Sequence, residues 1–75
     1  MKTTNIKDVL AYNLRRRMEF KNIDVKDLAE RSGVSERSII SMRNGHYGAN
    51  IEKLDKVARE LGTTPSLLLK YPNED

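Results

Sequence analysis

Side chains able to make or break bonds are sparse in this sequence: one His, His46, and no Cys among 75 residues. A catalytic nucleophile needs a base within hydrogen-bond reach and a third group that orients the base. No such set can be assembled around His46. The lack of Cys excludes disulfide frameworks, cysteine-ligated zinc and iron–sulfur clusters. Glu52 and Asp55 fall on the polar face of a helical stretch, where carboxylates are ordinarily solvated. The expectation is a protein that is not an enzyme, with no cofactor, no metal and no small-molecule substrate. What remains is recognition by hydrogen bonds. Glu36, Arg37, Ile40, Ser41 and Asn44 recur along one side of a short helical stretch and combine donors, acceptors and one apolar contact.

Five helices are expected to position those residues, with no strands, because no useful segment alternates apolar and polar at period two. The first carries Ile6, Val9, Leu10, Leu14 and Met18 at helical spacing and fades near Asn22. The second opens after Asp24, a good N-cap, and stops at Gly33, which suits a left-handed C′ position. Val25, Leu28 and Ala29 form its inward stripe. The third starts after Ser35, turns Ile39 and Met42 inward and ends at Asn44-Gly45. Asn50 caps a fourth, with Ile51, Leu54, Val57, Ala58 and Leu61 facing in and Gly62 at its end. Thr64 and Pro65 open a short fifth through Leu67, Leu68 and Leu69.

Residues 25–45 therefore read as two short helices about a Gly-containing turn. A small Ala29 lets the backbones approach, Gly33 reverses the chain, and Val34, Ile39 and Met42 anchor the second helix on the first. The opposite face of the second helix stays open, in a helix-turn-helix whose second helix fits a major groove ~12 Å wide. Charge is compatible with a polyanion on this side. Residues 1–50 hold ten basic and six acidic groups, whereas residues 51–75 hold four and five.

The stretch Leu28-Ala29-x-x-x-Gly33-Val34-Ser35, followed by Asn44-Gly45, resembles the helix-turn-helix of phage repressor and Cro proteins. The likeness extends over residues 6–70, because Leu54 to Leu61, Gly62 and Thr64-Pro65 are similar to that family's fourth and fifth helices. The resemblance implies an all-α, lambda-repressor-like DNA-binding domain. It implies base contacts from Glu36, Arg37, Ile40 and Ser41. Phosphate contacts are implied for Val25, Lys26, Ser38, Arg43, Asn44, His46 and Tyr47. The residue types suit these roles. Arg37 can fork onto guanine O6 and N7, Glu36 can accept from cytosine N4, and Ile40 can meet a thymine methyl. Backbone N–H groups at Val25 and Lys26 can face phosphate.

The sequence also departs from the family. Relatives often pair an Arg late in the first helix with a Glu late in the third; here those positions hold Met18 and Arg43, so an apolar or stacking contact is the expected replacement. Val25 stands where relatives often have a phosphate-gripping Gln, and Arg17 where an apolar residue is common. Arg15 and Arg16 read as a solvated face.

The functional expectation is a transcriptional regulator, most simply a repressor that occludes an operator in double-stranded DNA as a homodimer, in the cytoplasm and of phage or prophage type. Leu67, Leu69 and Tyr71 are the expected dimer contacts. The alternatives are an antitoxin that also holds a toxin protein partner, and a protein-interaction module that binds no DNA. Residues 1–5 and 71–75 are expected to be flexible ends around one domain of residues 6–70. The longest apolar run, Leu67-Leu68-Leu69, is far short of the ~20 residues that cross a bilayer. No apolar stretch follows Met1 to suggest a signal peptide.

Overall fold

Every helix starts where the preceding residue supplies an acceptor for the open N–H groups of its first turn. In a computed structural model that describes residues 5–46 and 50–72, these caps define α1 (Ile6–Lys21), α2 (Val25–Ser32), α3 (Glu36–Arg43), α4 (Ile51–Glu60) and α5 (Pro65–Leu68). Asn5 accepts from Lys7 N–H, Asp24 from Asp27, Ser35 from Ser38, Asn50 from Glu52 and Lys53, and Thr64 from Leu67. Each such cap contributes about 0.5–2 kcal/mol to its helix. The expected flexible ends lie mostly, and Tyr47 wholly, outside the described residues.

Two helix ends set up the helix-turn-helix. Gly33 takes the left-handed conformation, φ 76°, as its position predicts. Asn22 also adopts it, at φ 53° and ψ 48°, and its N–H returns to the carbonyls at the end of α1. The expected fading of α1 is thus a defined stop. Asn tolerates this conformation better than other residues with a Cβ.

The helices pack as a closed ring in which α1 touches α3 and α5, α3 touches α2, α2 touches α4, and α4 touches α5. Leu10, Leu14, Met18, Leu28, Val34, Ile39, Met42, Leu54, Val57, Leu61 and Leu68 fill its centre. Two residues expected to face inward do not. Ile6 is 46% exposed and Ile51 79%. Each is the first residue of its helix, and periodicity alone does not reveal that the neighbouring helices stop short of that turn.

Polar side chains of α1 close the ring. Asn13 Nδ2 donates to the carbonyls of Leu68 and Lys70, both at 2.8 Å. Arg17 donates through Nε to Leu61 O at 2.8 Å and through Nη2 to Gly62 O at 3.0 Å. Arg15 Nη1 donates to Arg43 O at 2.9 Å. One helix therefore satisfies carbonyls at or just past the ends of α5, α4 and α3, where a cation also meets the negative end of the helix dipole.

Leu14 lies between these bonds and is fully buried. Replacing it with Ala should cost about 2–5 kcal/mol, comparable with the whole stability of so small a domain. Urea titration of Leu14→Ala followed by circular dichroism should find little folded protein; a midpoint near wild type would place the centre of the core elsewhere.

Candidate nucleic-acid interface

The recognition side of α3 begins with its anchors. Ile39 and Met42 are fully buried and Val34 is nearly so, which turns Glu36, Arg37, Ile40 and Asn44 outward. Arg37 is exposed, and its guanidinium forms no hydrogen bond or ion pair with any described residue. Ser41 is half-buried on the same side. Ile40 is 38% exposed, high for an isoleucine in the middle of a packed helix.

Ser38 is the exception among the residues expected to meet DNA. It is only 8% exposed. Its hydroxyl accepts from Ser35 Oγ at 3.0 Å and from Lys53 Nζ at 3.4 Å. The hydroxyl expected to meet phosphate is therefore turned toward α4, and it joins the start of the recognition helix to Lys53.

The far end of α3 can be accounted for carbonyl by carbonyl. The last four carbonyls of a helix lack partners within it. Ile40 O accepts from Asn44 N, Ser41 O from His46 N and Met42 O from Gly45 N. Arg43 O accepts from Arg15. The chain reversal behind the first three bonds needs Gly45, whose φ is 75° and whose hypothetical Cβ would lie 2.9 Å from Asp8 Oδ1 and 3.9 Å from Ala11 Cβ. The end of α3 is thus pressed onto α1.

Around this helix, Lys26, Asn44 and His46 are exposed, and Val25 and Arg43 are half-buried. Val25 packs against the core while its backbone opens α2. Met18 and Arg43 line one open cleft together with Arg15, Glu19, Ile23, Asp24 and Val25. Met18 belongs to the core.

A family model for the Cro/C1-type helix-turn-helix DNA-binding domain matches residues 13–74. The chain belongs to this family. Among solved structures, the clp gene regulator ClgR from Corynebacterium glutamicum is similar. It shares 25% identity at a TM-score of 0.80, with 91% of this chain and 72% of that chain covered. No curated protein matches. As a Cro/C1-type domain, the chain is all-α, as expected, and carries a double-stranded DNA-binding fold. No helix among the described residues is long and apolar enough to cross a membrane, and no group of three His, Cys, Asp or Glu there could hold a metal.

Arg15 and Phe20 escape a reading based on sequence. Arg15 looked solvated, and nothing in its spacing signals that the end of α3 lies within reach. Phe20 is 74% exposed, with the Arg17 guanidinium 5.1 Å from its ring centroid. It shares an open groove with Leu67, 56% exposed, and Arg16. Of the other expected dimer contacts, Leu69 packs partly against the core and Tyr71 is half-buried. Asp55 pairs with Arg59 at 2.9 Å on the exposed side of α4, the ordinary behaviour of a solvated face.

Ser35 holds the start of the recognition helix through its bonds to Ser38 N and Oγ. Ser35→Ala should lower stability by about 1 kcal/mol, and chemical denaturation would read the shift. No change would mean that the buried anchors alone fix this end.

Proposed function

We propose that this Cro/C1-type domain is a sequence-specific transcriptional regulator that covers an operator as a dimer and so excludes polymerase. The observation that carries the reading is an exposed Arg37, without a partner among the described residues, on a helix whose opposite side is buried. A free guanidinium at that place is ready to fork onto a guanine edge. Glu36, Ile40 and Ser41 would read neighbouring base edges, while Lys26, Arg43, Asn44, His46 and the amide groups opening α2 would hold phosphates. The description of ClgR as a gene regulator supports regulation in the same sense.

Dimerisation follows from reach, since one short helix contacts few base pairs. Two copies would place half-sites about 10 base pairs apart. Leu67 and Tyr71 supply the pairing surface, with Leu69 behind them, and exposed Phe20 lies beside Leu67 in one groove.

Selection of bound sites from random duplex DNA tests binding, sequence preference and two-fold symmetry together. On the selected site, Arg37→Ala should weaken binding by about 1–3 kcal/mol and relax preference at one base pair. Unchanged specificity in a binding titration would remove Arg37 from the base-reading set.

Affinity should also fall steeply as salt rises, because each neutralised phosphate releases counterions and contributes about −0.9 to the slope of log K against log salt. A flat response would favour a partner other than nucleic acid.

A further inference from the structure

We propose that Arg15 is a positioning residue for DNA recognition, acting on the far end of α3 without touching a base; the proposal rests on the regulator reading above. Three observations point to it. Arg15 Nη1 donates to the carbonyl of Arg43 at 2.9 Å. Among the last four carbonyls of α3, it is the one to which none of the N–H groups of residues 44–46 returns. The turn after it lies so close to α1 that a Cβ on Gly45 would meet Asp8.

Met18 of α1 and Arg43 of α3 are two further side chains where these helices meet. Both line the same cleft as Arg15, and neither offers a carboxylate. The tie is made instead from a cation to a main-chain oxygen. It leaves the Arg43 side chain without a partner among the described residues.

The geometry makes this tie matter. Eight residues of helix are roughly 12 Å long, so a tilt of about 10° about one end moves the other by about 2 Å. Specific contacts need placement to about 0.5 Å and 10–20°. The first turn of α3 is held by Ser35 and by the Lys53–Ser38 bond. Ile39 and Met42 hold its buried side. The Arg15 bond fixes the last turn against sliding along that apolar surface.

The test compares Arg15→Met with Arg17→Met. Each removes one positive charge; Arg15→Met frees one carbonyl at the end of α3, and Arg17→Met frees two just past the end of α4. Binding to the duplex selected by the wild-type chain, and to the same duplex with one base pair altered, is titrated at several salt concentrations. Amide exchange at residues 44–46 is followed in the DNA-free protein.

Arg15→Met should lower the ratio of cognate to altered-site affinity by about threefold to tenfold and should speed exchange at those amides. Arg17→Met should leave the ratio within about twofold. Arg15→Lys, which keeps the charge and a donor, should restore most of the loss. If Arg15→Met folds poorly, Arg15→Gln should show a smaller change of the same sign.

Equal losses at both duplexes would make Arg15 a plain phosphate charge and overturn the proposal. Equal falls in the ratio for Arg15→Met and Arg17→Met would reveal general loosening and overturn it too, as would unchanged exchange. A wild-type chain that binds no duplex would sink the regulator reading and Arg15's part in recognition with it. Exchange would then still show whether the bond exists.

Discussion

A helix leaves its last carbonyls open, and in this domain one helix answers for three others. Asn13, Arg15 and Arg17 of α1 donate to carbonyls at or beyond the ends of α5, α3 and α4. These bonds alternate with the apolar residues Leu10, Leu14 and Met18, so one rod supplies both the centre of the core and the polar locks around it. Each such bond contributes about 0.5–1.5 kcal/mol net, and together they count in a domain with so small a core. The ring of helices depends on α1 in both respects.

That dependence explains how a short recognition helix is kept in place. α3 turns Ile39 and Met42 inward, is joined to α4 at its start and to α1 at its end, and keeps Arg37 and Ile40 in the open. An exposed isoleucine and an arginine without a partner among the described residues gain nothing for the isolated fold. Local choices that do not serve stability are where function is expected to sit, and two of them lie on the same side of α3.

Much of this was legible in the sequence. Caps are local: Asp24, Ser35, Asn50 and Thr64 announce their helices because a short acceptor side chain must stand just before the first turn, and Gly33 announces a stop. The stripe of Ile39 and Met42 then determines which residues are left outside. What stayed hidden are contacts over long sequence separations. The Arg15 and Asn13 bonds span 28 and 55 residues, and no periodicity encodes which carbonyl lies opposite a given side chain. The same limit concealed the burial of Ser38, and the exposure of Ile6 and Ile51, which depends on where neighbouring helices stop.

The Asn13 bonds carry a temporal corollary. Its two acceptors belong to Leu68 and Lys70, 55 and 57 residues further along the chain. During vectorial synthesis, a nascent strand with most of its helices already outside the ribosome still lacks the atoms that complete the circle. Closure must await the emergence of those last carbonyls.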